Sequence, residues 1–214
     1  MMAPRGVIFD CDGTLVDSEP LSALVFAEAL AEQGLAITPA AALDAFRGRR
    51  FALCVAMAER MLGRTLPPDF EPMLRDRTAL AFRERLRGIE GAAALLEAMP
   101  LPFCVASNAP RAKTELALTL TGLRHFFGER IFSAYDVGAW KPDPGLFLHA
   151  ADALGLPPGD CLVVEDSEAG VMAGLAAGMR VVALLPELPR EGRPGWLPAE
   201  VPALEGLAAV RLHL

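Results

Sequence analysis

Gly6-Val7-Ile8-Phe9-Asp10-Cys11-Asp12-Gly13-Thr14-Leu15-Val16-Asp17-Ser18 begins as an apolar run and ends that run in two carboxylates two positions apart. On an extended strand, side chains at i and i+2 point to the same side, so Asp10 and Asp12 share one crevice and Cys11 faces away. Gly13 and Thr14 turn the chain off the strand, leaving both acids at its carboxyl end, where open α/β sheets bind ligands. Two like charges this close repel, and neither has a basic neighbour in sequence; a divalent cation relieves the conflict. An Asp that only caps a turn would explain an isolated pair of this kind, so the rest of the chain decides.

Five short β-rich runs, residues 6–10, 103–107, 131–133, 161–165 and 180–184, recur along the chain, most of them separated by helical stretches ending near Gly or Pro. This alternation predicts a parallel sheet covered by helices on both faces. The span between the first two runs is too long for one crossover and reads as four helices: 20–33 ending at Gly34, 39–46 capped by Thr38 with Pro39 at its first position, 50–62 ending at Gly63, and 69–87. Short loops between four successive helices predict a small bundle inserted in the α/β core. The expected division is a core of residues 1–16 and 88–214 and a helical insert of 17–87, with hinges at Val16 to Glu19 and Arg87 to Gly91. The Pro-rich stretch from Leu185 to Pro202 reads as a surface loop, after which the apolar segment 203–212 docks on the core.

Three later stretches carry chemistry. Phe103-Cys104-Val105-Ala106-Ser107-Asn108 ends a buried run in a hydroxyl and an amide, with Pro110 opening the next helix. That placement suits phosphate binding by Ser107, assisted by backbone N–H groups and the helix dipole, and is compatible with simple capping. Trp140-Lys141-Pro142-Asp143-Pro144 sets a lysine ahead of a helix whose first position is Pro144 and whose cap is Asp143. Val163-Val164-Glu165-Asp166-Ser167 again ends a buried strand in acids, and Gly170 and Gly174 give the following helix a face for close packing.

Taken in order, these four stations resemble the four motifs of the haloacid dehalogenase superfamily, and the resemblance spans essentially the whole chain. It implies a Rossmann-like α/β core with a helical cap inserted after the first motif. It also implies roles: Asp10 as nucleophile, Asp12 as general acid/base, Ser107 and Asn108 as phosphate-binding residues, and Lys141 as the cation that offsets charge on the nucleophile and phosphoryl group. Asp166 and Glu165, the latter directly or through water, would hold a metal with the Asp10 carboxylate and the Asp12 backbone carbonyl. That all-oxygen set suits Mg²⁺.

The implied reaction is hydrolysis of small phosphomonoesters through an aspartyl-phosphate, with Asp12 protonated at one stage although a free Asp titrates near ~3.9. Asp12 argues against carbon–halogen cleavage, and the absence of Lys from residues 16–87 argues against the phosphonate hydrolases that use a cap Schiff base. The β-phosphoglucomutase branch shares all four motifs, but carries a Thr and a His where Ser18 and Ser22 stand and a cap-loop Arg where Phe51 stands. Phosphoglycolate hydrolysis is a further alternative. The cap loop Phe46-Arg47-Gly48-Arg49-Arg50, with its three cations in an acidic protein, is the expected specificity element. Arg47, Gly48 and Arg50 would meet an anionic substrate, and the chain is most similar to the bacterial branch that hydrolyses the phosphosugar acid 6-phosphogluconate.

Composition bounds the alternatives. The 214 residues are 53% hydrophobic with a net charge of −7, which argues against a nucleic-acid surface. No uncharged apolar stretch of about 18 residues and no secretory-signal pattern occur, so a cytoplasmic protein without a membrane partner is expected, as a monomer or weak homodimer. Cys11, Cys54, Cys104 and Cys161 lie too far apart for a zinc or redox pair. His125, His149 and His213 match no motif, and no nucleophile elbow supports a Ser/His/Asp triad. A non-catalytic binding protein on this fold would be expected to have lost a nucleophile or metal ligand, and none is missing.

Overall fold

The computed structural model describes residues 3–185 and 192–214. Six strands, β1 (Gly6–Phe9), β2 (Phe103–Ser107), β3 (Ile131–Ser133), β4 (Cys161–Glu165), β5 (Arg180–Leu184) and β6 (Ala203–Leu204), form one sheet in the order β3-β2-β1-β4-β5-β6. Every pairing is parallel. Because β1 is flanked by β2 on one side and β4 on the other, the connections leave it in opposite directions, opening a crevice beyond its carboxyl end. The first run is a residue shorter than expected: β1 closes at Phe9, and Asp10 N donates to Val164 O at 2.9 Å as the chain departs.

Helices α5 (Ala92–Glu97), α6 (Arg111–Leu120), α7 (Ala134–Val137), α8 (Gly145–Ala153) and α9 (Glu168–Ala176) belong to this unit, with α1 (Glu19–Glu32), α2 (Pro39–Phe46), α3 (Phe51–Leu62) and α4 (Phe70–Arg85) between β1 and α5. Strand alternation divides the core: Val7, Phe9 and Cys11 pack with Leu95, Leu118 and Leu207, whereas Ile8 packs with Leu146, Phe147 and Val171. Both faces are thus apolar, as a covered parallel sheet requires. All four cysteines are free and buried, which fits plain packing roles.

The four inserted helices share an apolar cluster of their own, centred on Phe26, whose ring lies 4.8 Å from Phe46 and 6.1 Å from Phe70. Thr38 caps α2 by accepting from Ala41 N at 3.2 Å, and Gly63 ends α3 in the left-handed region at φ 69°. The two strands of chain joining these helices to the sheet run side by side: Asp17 N donates to Arg87 O and Ile89 N to Leu15 O, both at 2.9 Å.

Two local expectations are corrected. Helix α8 starts at Gly145, one residue later than its motif suggested, because Asp143 Oδ1 accepts from Gly145 N at 2.7 Å and Pro144 takes the cap position. The segment 203–212 does more than dock: Ala183 N donates to Pro202 O and Leu185 N to Leu204 O, so it adds the edge strand β6. Of the Pro-rich stretch expected as a surface loop, residues 186–191 lie outside the described residues, and Leu197 and Val201 are buried against the core. Among the described residues no helix is long and apolar enough to cross a membrane.

Candidate active site

The carboxyl ends of β1, β2 and β4 and the inner face of α1–α4 enclose a cavity of about 630 Å³. Asp10, Asp12, Ser107, Asn108, Lys141, Glu165 and Asp166 all line it. Four segments far apart in sequence therefore converge as the motifs imply, and Cys11 turns away into the core.

Lys141 is the hub. Its Nζ donates to Asp10 Oδ1 at 2.6 Å, Glu165 Oε1 at 2.6 Å and Ala106 O at 2.8 Å, which uses all three ammonium hydrogens. Burial works against its charge, but the Asp10 and Glu165 carboxylates more than compensate and hold the ammonium above its ordinary range. Asn108 fixes the loop that delivers it: Lys141 N donates to Asn108 Oδ1 at 2.9 Å, and Asn108 Nδ2 donates to Lys141 O at 3.3 Å. Asn108 thus supports the lysine in addition to lining the cavity.

Glu165 has little left to offer a metal. While Oε1 meets Lys141, Oε2 accepts from Asp166 N at 3.0 Å, Ser167 N at 3.1 Å and Ser167 Oγ at 2.9 Å. Gly170 is what admits it, since a Cβ there would stand 1.8 Å from Glu165 Cδ. Asp166 is approached by a different cation, Arg47 from the α2–α3 loop, whose Nη2 and Nε lie 2.5 and 3.1 Å from Oδ2. Gly13, at φ 84°, passes against the same oxygen, and a Cβ would come within 2.3 Å.

Asp12 has a basic partner, Lys113, that sequence proximity does not reveal. Its Oδ1 accepts from Ser18 Oγ at 2.5 Å and from Lys113 Nζ at 2.9 Å, whereas Ser107 Oγ stands 3.5 Å from Oδ2. Burial pushes the Asp12 carboxyl up, but Lys113 and the Ser18 hydroxyl outweigh it and leave the group below its ordinary value. The raised Asp12 expected for the proton-donating stage is therefore not the condition of this structure. Glu19, also on the cavity wall, is pushed up to about 7 by burial and then by the nearby Asp12 charge.

The charge balance shows what the site can accept. Burial, reinforced by Glu165, lifts Asp166 to about 7; burial also raises Asp10 well above its ordinary value despite Lys141. At the end of the sheet Asp10, Glu165 and Asp166 meet Lys141 and Arg47, three carboxylates to two cations at a buried place. Asp10, Glu165 and Asp166 offer oxygens within 4.8 Å of one another. A hard divalent cation fits this donor set, with Asp10 and Asp166 as the side chains best able to hold it.

The residues of the α2–α3 loop are distributed unequally. Gly48, at φ 69°, passes so close to α9 that a Cβ would lie 2.8 Å from Ser167 Cβ. Arg50 is absent from the cavity wall and stacks on Trp140, with Cζ 3.9 Å from the ring centroid. Arg49 and Arg83 do line the cavity, and Arg75 Nη2 reaches Tyr135 Oη at 3.3 Å. Sequence proximity does not reveal Lys113 and Ser18 as donors to Asp12, nor Glu19 as a like charge beside it. One signal for Lys113 was available: Lys113 and Lys141 are the chain's two lysines among 20 basic residues, and both meet the paired acids.

Comparison with known proteins agrees with this geometry. The family model for haloacid dehalogenase-like hydrolases matches residues 4–178. The chain is 38% identical over 178 residues to 6-phosphogluconate phosphatase of Escherichia coli, covering 83% of this chain and 80% of that relative. It is similar to a solved hydrolase of the same family from Deinococcus radiodurans with bound phosphate and sodium, at TM-score 0.76 and 36% identity, covering 98% and 95% of the two chains. A solved haloacid dehalogenase-like protein from Agrobacterium tumefaciens superposes at TM-score 0.83 and 28% identity, covering 98% and 97%. An acidic pair at the switch point of a parallel sheet, a buried lysine bonded to it and a match through most of the chain have one reading: this protein belongs to the haloacid dehalogenase-like hydrolases.

Proposed function

We propose that this hydrolase is a Mg²⁺-dependent phosphatase of small phosphorylated sugars or sugar acids, with 6-phosphogluconate its leading substrate. The observation that carries the reading is the bonding of Lys141 to both Asp10 and Glu165 beside Asp12 and Asp166. The name of the Escherichia coli relative supports the substrate, and the phosphate bound by the Deinococcus radiodurans relative supports the ligand class.

In this reading the Asp10 carboxylate attacks phosphorus, the ester P–O bond breaks and the leaving alkoxide takes a proton from Asp12. Asp12 then removes a proton from water, whose oxygen attacks the aspartyl-phosphate and breaks the acyl phosphate bond. Asp10 is regenerated and inorganic phosphate leaves. Lys141 offsets charge on the phosphoryl group, and Ser107 and Asn108 orient it through hydroxyl and amide. Asp10, Asp166 and the Asp12 carbonyl would hold Mg²⁺, with Glu165 behind them; the ion supplies Lewis-acid stabilisation of phosphoryl oxygens. The helices α1–α4, residues 17–87, act as a cap whose closure excludes water.

Ser22 and Phe51 line the cavity, where the mutase branch carries a His and an Arg, and they favour hydrolysis over isomerisation. Arg47 serves closure and the anionic end of the substrate, Gly48 permits the close approach of its loop, and Arg50 acts by holding that loop on Trp140. Arg49 and Arg83, whose guanidinium groups have no hydrogen bond or ion pair among the described residues, are available to a sugar-acid carboxylate. The test is phosphate release across sugar phosphates, phosphosugar acids, phosphoglycolate and β-glucose 1-phosphate, with Mg²⁺ and with EDTA. Preference for 6-phosphogluconate, lost with EDTA and restored by Mg²⁺, is expected; metal-independent release or efficient isomerisation of β-glucose 1-phosphate would overturn the reading.

A further inference from the structure

We infer that Lys113 is a positioning residue which fixes the orientation of Asp12, so that Oδ2 is the oxygen that exchanges the proton, and which ties that orientation to helix α4 of the cap. The inference rests on the proposed role of Asp12 as acid/base.

Lys113 sits in the first turn of α6, where the helix dipole disfavours a cation and where no acidic residue or side-chain cap offsets it. Its placement therefore does nothing for the helix. The side chain instead reaches across 101 positions of sequence to Asp12 Oδ1 at 2.9 Å. Ser18 Oγ donates to the same oxygen, so Oδ1 holds two donors. Oδ2 has only the 3.5 Å approach of the Ser107 hydroxyl. An oxygen already holding a charged and a neutral donor is the poorer proton acceptor, which leaves the lone pairs of Oδ2 for the substrate or water.

The same ammonium lies 5.6 Å from the ring centroid of Phe82, on α4. Phe82 is 1% exposed and, although on a cap helix, packs in the apolar cluster of the sheet with Leu86 and Leu118. Lys113 consequently touches the proton-transfer residue and the end of the cap helix nearest the return hinge. A shift of α4 alters the ring face against which the ammonium rests, and through it the donor on Asp12.

The test uses the full chain with Lys113→Met, which keeps the length and removes the charge, and Lys113→Arg, which keeps the charge. Steady-state kcat and KM are measured on 6-phosphogluconate and on p-nitrophenyl phosphate, with thermal unfolding as a check on the fold. Lys113→Met is expected to lower kcat on the sugar substrate about 10- to 100-fold, a part of what acid–base catalysis contributes, with KM within about threefold. The loss on p-nitrophenyl phosphate is expected to be smaller, because its leaving group needs no proton, and Arg should recover part of the loss. A raised KM with unchanged kcat would make Lys113 a substrate-binding group and overturn the inference. Equal losses on both substrates without recovery by Arg, or unchanged kinetics, would also overturn it. An inactive wild-type protein would instead defeat the phosphatase reading beneath it.

Discussion

Lys141 Nζ lies 2.6 Å from Glu165 Oε1, and the other oxygen of Glu165 is held by three donors from Asp166 and Ser167. This carboxylate, fully buried beside Asp10, holds the lysine in place. Glu165→Ala leaves the ammonium with Asp10 and Ala106 O but strands the three donors on Oε2, and a buried donor without its partner costs about 1–3 kcal/mol. Glu165→Gln keeps the shape and should cost less. Denaturant unfolding of the two variants checks the order; equal stability of Glu165→Ala and wild type would remove this role.

The cap arginines should separate by substrate. Arg50→Ala removes a stacking contact on Trp140 worth about 0.5–1 kcal/mol, and should weaken use of a phosphosugar acid and of p-nitrophenyl phosphate alike. Arg49→Ala or Arg83→Ala should weaken only the sugar acid, by roughly ten- to a hundredfold if the guanidinium meets its carboxylate. Arg47→Ala should impair both, and the sugar acid more. Kinetics on the two substrates check this pattern, and selective loss of the sugar acid in Arg50→Ala would contradict the distribution.

Glu19 carries a pH signature. Its carboxyl is raised from 4.5 to about 7 by burial first and by the Asp12 charge second. Between those values the folded protein keeps a proton that the unfolded chain has released, so stability falls as pH rises through this window. Glu19→Gln should flatten that fall. Unfolding in EDTA at pH 5 and pH 7.5, compared between wild type and variant, checks the sign; an unchanged difference would show that Glu19 does not titrate there.

What the sequence made legible was local. Strand ends, the Thr38 cap, Gly63 and the carboxylates after β1 and β4 follow from alternation, turn chemistry and helix termination, which neighbours in sequence determine. The partners of each charge were less legible because they arise from convergence. Lys113 reaches Asp12 from a separate helix, Arg47 reaches Asp166 from the inserted helices, and Arg50 leaves the cavity because an indole lies within reach. The edge strand β6 was missed for a related reason: two residues have no periodicity to read, and β5 supplies their pairing.

The central claim is that Asp10 is the nucleophile of phosphate-ester hydrolysis, and acid-quenched turnover followed by peptide mass spectrometry tests it most directly. Wild-type protein incubated with substrate and Mg²⁺ should carry one phosphoryl group on the Asp10 peptide, and Asp10→Asn should carry none, release no phosphate and unfold at a temperature close to that of wild type. Continued phosphate release by a folded Asp10→Asn protein, or a phosphoryl group on any other residue, would contradict the account.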